Sequence, residues 1–395
     1  MKHTLLLFGH FSIPFFNYDL ITPLTPILSL RKPEVFFILG VIFLLIMLSL
    51  RKANKTELLD TTSTDQIRGL AIIGIILLHY MTNTPVITIP PLYSEYFSPL
   101  GLIGVGCFLF LSGFGLTVSY LKQGIYKHYL PKRFIRILLP YWVVSILIIL
   151  LDLLLLHTII PVKYIALNLA GIIIFVDSAK NIDVVLWYVT YILLLYVTFY
   201  LIFIQKLSDR VKVCILFLVA MLSVFVFAYL QNRAYTYTQY WAIYSLYFPM
   251  GAVLGLNFEA IKKKVQKIPL RDMKIIVLTA LLVLFLYGYL VEFRTPDLLH
   301  ILNTYLSGLI FVFAIVLLSL FKLYSKFLLF IGSISYELYL VHQPFQEKFD
   351  FLLFRQPYYV SFFLYFAFIV LLAYLLNRLV TARLSTKITR LLFSH

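Results

Sequence analysis

Apolar residues run along this chain in uninterrupted blocks, not in the period-two alternation of strands or the one-sided stripe of a soluble amphipathic helix. The blocks are about 17 to 23 residues long, enough at 1.5 Å per helical residue to cross ~30 Å of hydrocarbon. They predict helical spans near residues 34–50, 66–81, 99–120, 131–156, 184–204, 212–231, 239–257, 273–291, 303–321, 327–343 and 358–380. Without polar alternation inside the blocks, barrel strands are excluded. The expected fold class is all-α, a polytopic transmembrane helix bundle of ten core spans plus one extra N-terminal span. The pattern divides into residues 1–60, an interfacial segment with the extra helix, and residues 61–395, the bundle proper. No internal repeat, low-complexity tract or linker breaks the second part.

Composition agrees with the pattern: 62% of positions are hydrophobic and 13% charged, against roughly 25% charged in ordinary globular domains. The formal net charge of +16 would suggest nucleic acid in a soluble protein. Here the positive residues sit in the predicted loops, so the bilayer is the expected partner and nucleic acid is not. With the 51–68 loop cytoplasmic, alternate loops carry the basic clusters: Arg51 to Arg68, Lys122 to Arg136, Lys206 to Lys212, Lys262 to Lys274, Lys322 with Lys326, and Arg378 to Arg390. The positive-inside rule therefore sets the orientation. An apolar segment at 164–176 stays outside the span count, because a full crossing there would place the 258–274 cluster outside. It is read as re-entrant or interfacial. Leu5–Phe16 is broken by Gly9, His10, Ser12 and Pro14 and lacks a cleavage motif, so it is expected at the interface or packed against the bundle and not as a leader. Cys107 and Cys214 fall inside apolar spans and suggest neither a disulfide nor a metal site.

The densest chemistry lies in Asp65-Gln-Ile-Arg68-Gly-Leu-Ala-Ile-Ile-Gly-Ile-Ile-Leu-Leu-His79-Tyr80. Eleven helical steps carry His79 about 20° past three full turns from Arg68, so the two share a face roughly 16 Å apart along the axis. A guanidinium at the cytoplasmic mouth suits phosphate recognition, and an imidazole deeper in suits proton transfer. Arg68 also fits a plain topology signal, and His79 a polar spot in helix packing. Glu337 is the acidic residue set well inside a predicted span, and it should face the bundle interior or hydrogen-bond Ser333 one turn earlier. His342, near the outer end of the same span, suits either a wet structural role or catalysis. Arg133 and Arg136 lie on one side of a cytoplasmic helix start and could clamp phosphates or touch anionic lipid. Trp187 and Tyr188 open the span at 184 as an aromatic belt or a sugar-stacking platform.

These stretches resemble, in order, the acyltransferase 3 family of membrane-bound acyltransferases. Arg68 and His79 match its arginine, ten residues, histidine pattern. Phe108-Leu-Phe-Leu-Ser112-Gly113-Phe114 is similar to its Phe-rich Ser-Gly-Phe helix, and Arg133 to Trp142 to its basic stretch ending in Pro-Tyr-Trp. Leu186-Trp187-Tyr188 resembles its Leu-Trp-aromatic start. Gly332 to Pro344 resembles its late Gly-x-Ile-Ser-Tyr-x-x-Tyr-Leu-x-His-x-Pro helix. The chain departs from many members at Gly104-Val105-Gly106-Cys107, where they carry an acidic residue, and at Val189-Thr190-Tyr191, where they carry a Glu pair.

The resemblance implies a multi-pass enzyme of the plasma membrane that moves an acyl group, acetyl by expectation, from cytoplasmic acyl-coenzyme A to a hydroxyl of a sugar or lipid-linked glycan outside. On that reading acyl-coenzyme A is a co-substrate bound by Arg68, Arg133 and Arg136, and no metal takes part. His79 is the general base or acyl carrier with Glu337 as its catalytic companion. Ser112, Tyr336, Trp187, Tyr188 and His342 contact substrate, with Ser112 and Tyr336 as oxyanion donors. A transporter or flippase for a glycan or lipid intermediate, using His79 and Glu337 as a proton relay, is the alternative. A non-catalytic scaffold is a third reading, in which Arg68 and His79 are freely replaceable.

Overall fold

The computed structural model describes residues 32–53, 59–82, 91–125, 128–172, 182–183, 186–231, 241, 244–292, 309–310, 312–353, 355 and 357–393. Their helices are α1 (Lys32–Leu48), α2 (Thr61–Thr82), α3 (Pro91–Gln123), α4 (Tyr129–Leu155), α5 (Val162–Leu169), α6 (Trp187–Phe203) and α7 (Asp209–Gln231). After these come α8 (Tyr247–Val265), α9 (Leu270–Glu292), α10 (Lys326–Ser333), α11 (Ser335–Val341), α12 (Pro344–Glu347) and α13 (Tyr358–Leu376). A π-helical stretch, Asn377–Ser385, and α14 (Thr386–Phe393) close the chain. Among the described residues the fold is all-α apart from a two-stranded ladder of β1 (Leu50–Lys52) and β2 (Leu323–Ser325), which the apolar pattern did not predict. Ile103–Gln123, Tyr129–Leu155 and Tyr359–Phe393 are each long and apolar enough to cross a membrane. The expected segment at 303–321 lies partly outside the described residues.

Two helix pairs rest on glycine. In α3 and α8 the small residues are reciprocal: a Cβ on Gly113 would overlap the Phe248 carbonyl, and one on Gly251 would overlap the Phe110 carbonyl. Backbones can touch there because no side chain intervenes, as in small-residue packing within membranes. The glycine of the Ser-Gly-Phe motif is thus a packing residue. α2 crosses α10 in the same way, Gly69 against the backbone of Leu328 and Gly332 against that of Asp65. The ladder holds the entrance of this crossing, pairing Leu50 with Ser325 and Lys52 with Leu323. Ser325 then caps α10, its hydroxyl accepting from the Leu328 amide at 3.2 Å, while its own amide donates to Gln66 Oε1 at 2.9 Å.

The expected single span at 327–343 is corrected to two helices. α10 stops at Ser333, Ile334 leaves the helical region with φ −115° and ψ 16°, and α11 starts at Ser335. The Ile334 amide bonds Ile331 at 3.3 Å in a tightened last turn, so the break carries its own hydrogen bond. The segment at 164–176 begins inside the eight-residue α5, which is about 12 Å long and too short to cross, and its residues after 172 lie outside the described ones. The Pro-Tyr-Trp stretch holds its end: Tyr141 donates to the Asn168 carbonyl, and Trp142 Nε1 donates to that of Leu169 at 2.7 Å. Nearby, buried Asp152 takes Lys348 Nζ at 3.0 Å, and the same ammonium donates to the Ile182 carbonyl at 2.7 Å. This ion pair fastens the turn after α12 to α4.

Candidate functional site

α2 is the central helix. Ile67, Ala71, Ile72, Ile73, Ile75, Ile76 and Leu77 are all buried, so the helix is surrounded on every side. A helix that is apolar all round must lie inside a bundle, and its few polar side chains stand out. Arg68 keeps 38% of its side chain exposed and pairs with Asp65 at 2.6 Å. His79, at the other end, lies beside His342 with ring centroids 5.2 Å apart and planes tilted by 49°.

His342 is wholly buried. Its Nδ1 lies 2.8 Å from the Tyr339 carbonyl and 3.2 Å from that of Leu338. Both neighbours are acceptors, so Nδ1 carries the proton and donates. Nε2 is then a bare lone pair, and among the described residues it has no hydrogen-bond partner. The backbone here is fixed as well, because Tyr365 donates its hydroxyl to the His342 carbonyl at 2.8 Å.

An aromatic wall joins the histidines to the arginine. The Tyr339 ring is 5.7 Å from His342 and 5.2 Å from Tyr188. The Tyr188 hydroxyl lies near Ser112 and within electrostatic reach of Arg68. Arg68, Ser112, Tyr188, Tyr339, His342 and His79 therefore form a row of neighbouring side chains, contributed by α2, α3, α6 and α11 with the residue that follows it. Tyr336, three residues before Tyr339 on α11, donates to the Ile137 carbonyl at 2.8 Å, joining that helix to α4.

Other expected members sit elsewhere. Glu337 is buried, yet its Oε1 accepts from Asn377 Nδ2 at 3.0 Å and Thr381 Oγ1 at 2.6 Å, both on the π-helical stretch. The expectation that it attends His79 is corrected: His342 occupies that place. Ser333, its other expected partner, is exposed and donates to the Phe330 carbonyl at 2.7 Å. The belt reading of Trp187 and Tyr188 is corrected too, since both are buried and the Trp187 ring stacks on Tyr244 at 5.8 Å. Arg133 lies 3.7 Å over the Tyr129 ring and Arg136 is exposed. His342, placed among substrate contacts, instead stands against His79.

Sequence reasoning passed over Tyr339, Tyr365 and Asp183. Asp183 is buried and acts electrostatically on Tyr141, Tyr339 and Tyr365, beside the His342 pocket. Its signal was a lone carboxylate at the edge of an apolar block, easily taken for a loop residue.

Residues 61–378 match the model of the acyltransferase 3 family, described as an acyltransferase domain. That is well over half of the chain, so the protein belongs to this family. No curated protein matches it, and no solved structure does.

Proposed function

We propose that this family member is a multi-pass O-acyltransferase of the plasma membrane that takes an acyl group, acetyl by expectation, from cytoplasmic acyl-coenzyme A. The acceptor is a hydroxyl of a sugar or lipid-linked glycan reached from the outer side. Eleven spans in the positive-inside orientation carry it, with residues 1–60 as an accessory N-terminal part and residues 61–395 as the acyltransferase bundle. The observation that carries the reading is the row of neighbouring side chains from partly exposed Arg68, by way of Tyr188 and Tyr339, to the His79–His342 pair.

In this scheme Arg68 binds the phosphates of acyl-coenzyme A at the mouth, helped by Arg133 and Arg136. The long pantetheine arm spans the ~16 Å of α2 between the anchor and the imidazoles. His79 takes the acceptor's proton as general base, or carries the acyl group in transit. Ser112 and Tyr188 lie along the path and supply hydroxyls to the thioester or its oxyanion. Tyr336, Trp187 and Glu337 hold the walls from behind. No metal is required for any of these steps. A proton relay of His79 with Glu337, as a transporter or flippase would use, draws no support from the placement of Glu337 against Asn377 and Thr381.

The test is transfer of labelled acetyl from acetyl-coenzyme A to membrane glycans by the full chain in native membranes. The wild type should label glycan, and a folded His79→Ala variant should lose nearly all of it. Equal labelling by both removes His79 from the chemistry. No labelling by the wild type removes the reaction.

A further inference from the structure

A fully buried imidazole nitrogen without a partner is costly, on the order of 1–3 kcal/mol, and calls for an explanation. Among the described residues His342 Nε2 is such a nitrogen. Its ring cannot turn over to satisfy itself, because Nδ1–H is already given to the carbonyls of Tyr339 and Leu338. What Nε2 lacks is a donor, and of the two rings that pack against His342, Tyr339 and His79, the imidazole of His79 is the nearer, 5.2 Å away between centroids. Each imidazole nitrogen lies about 1.1 Å from its ring centroid, so two that face each other across this gap come to about 3 Å, the range of a hydrogen bond.

We propose that His342 Nε2 accepts a ring N–H of His79, making His342 the positioning residue of the acyl transfer. The proposal rests on the transferase reading above. Its consequence is a fixed tautomer. With one His79 nitrogen donating to His342, the other carries the lone pair and faces the substrate. The step then balances. The acceptor's O–H proton passes to that His79 nitrogen while its oxygen bonds the thioester carbonyl carbon. The C–S bond breaks, and the leaving thiolate takes the proton back from His79. Ester and free thiol result, and both imidazoles return to their starting forms. While His79 is cationic, the lone pair of His342 stabilises it without taking on charge. The backbone carbonyls of Tyr339 and Leu338 hold His342 in the only orientation that offers that lone pair.

Two readouts test this on the full chain in nanodiscs. The first is ¹⁵N spectroscopy of ring-labelled histidine, with the His79 signals assigned through a His79→Asn variant. In the wild type His79 should show a single neutral tautomer with one nitrogen protonated. In His342→Leu it should revert to the mixed tautomers of a free imidazole. The second is transfer from labelled acetyl-coenzyme A. His342→Leu should lower kcat about 100-fold with KM for acetyl-coenzyme A unchanged, and His342→Gln, which restores an acceptor oxygen, should recover most of the loss. A His79 tautomer that is the same in wild type and His342→Leu overturns the pairing, whatever the activity. Equal loss in His342→Gln and His342→Leu, with both folded, overturns it as well. A wild type that transfers no acetyl yet shows the single tautomer leaves the pairing standing and brings down the transferase reading instead.

Discussion

Glu337 accepts a hydrogen bond from Thr381 across 2.6 Å, a contact between residues 44 positions apart that fastens the broken helix α10–α11 to the last long helix. Asn377 makes the second bond to the same oxygen at 3.0 Å. Both donors lie in the nine-residue π-helical stretch Asn377–Ser385, a wide turn that is rare and has to be held by something outside itself. A buried carboxyl in an apolar setting needs such donors, and they need it.

Replacing Thr381 by Val should therefore destabilise the folded protein by about 1–2 kcal/mol. Thermal unfolding in detergent or nanodiscs reads this directly. Because Glu337 is not paired with His79, the KM for acyl-coenzyme A should stay unchanged. A large rise in KM with unaltered stability would return Glu337 to the reaction centre.

Much of this arrangement was legible in the sequence. The blocks at 131–156, 212–231 and 273–291 agree with α4, α7 and α9 to within a few residues, because continuous apolar runs of that length have few other ways to satisfy their backbone. Arg68 and His79 could be set on one face by periodicity alone. Partners across the bundle could not. His79 meets a residue more than two hundred positions away, and Glu337 meets two on another helix. One clue was available: five helical steps from Glu337 to His342 turn the side chain by about 140°, so on a regular helix the two cannot both face His79. The break at Ile334 had one signal, the Gly332-Ser333 pair just before it, a combination at which helices kink, but no Pro accompanies it and the apolar run continues across. The strands at 50–52 and 323–325 are too short for any pattern to show.

The close approach of α3 and α8 gives a contrast within a single helix. Gly113→Ala drives a Cβ into the Phe248 carbonyl, a collision with backbone that cannot step aside, whereas Gly115 has nothing within 4 Å of the same added atom. Gly113→Ala should lower folded yield and melting temperature sharply. Gly115→Ala should be neutral or slightly stabilising, since alanine is the better helix former by up to about 1 kcal/mol. Size-exclusion profiles and melting curves of the two variants check this, and equal behaviour would refute the packing account.

The loop between α11 and α13 carries a pH-dependent element. Asp350 is largely buried 3.8 Å from Arg355, and burial pushes its carboxyl up to about 7, the guanidinium holding it below where burial alone would leave it. The folded state therefore keeps a proton that the unfolded chain releases near its ordinary value. Stability contributed by this group is present at low pH and declines as pH rises from about 4 through about 7, with a slope of at most roughly 1.4 kcal/mol for each pH unit crossed. Asp350→Asn should flatten that slope. Melting temperatures of wild type and variant at pH 5 and pH 8 measure it. A wild type that is more stable at pH 8, with the difference abolished in Asp350→Asn, would reverse the sign.

Orientation is testable at two exposed positions. Lys264, in the last turn of α8, should be cytoplasmic, and Lys163, at the start of α5, should face outward. Single cysteines at these sites need a background without Cys214, which is exposed, and without buried Cys107. An impermeant thiol reagent applied to intact cells should label position 163 and spare 264. The opposite pattern would invert the bundle and move the Arg68 mouth to the outside.

Arg68 and Asp65 should respond to substitution in opposite directions. Asp65 holds the guanidinium at 2.6 Å with both side chains about a third exposed, so it is a competitor for any phosphate that docks there. The pair itself is worth little in so wet a setting. Asp65→Asn removes a negative charge from the mouth and loosens the Arg68 Nη1 donor, and it should lower the KM for acyl-coenzyme A several-fold at low ionic strength. Arg68→Gln should raise it by a similar or larger factor, with kcat changed less, because phosphate contacts about 16 Å from the imidazoles bind ground state and transition state alike. Added salt should compress both effects, since partly exposed charges are screened over about 10 Å at 0.1 M. Arg133→Gln and Arg136→Gln should follow Arg68→Gln in sign. The Arg133 effect should be the smaller of the two, because its guanidinium is already committed to the Tyr129 ring at 3.7 Å. Measured KM values for acetyl-coenzyme A across these four variants at low and high salt decide the matter. A fall in affinity for Asp65→Asn, or no change in any arginine variant, would mean that the phosphates dock elsewhere and that these arginines serve orientation alone.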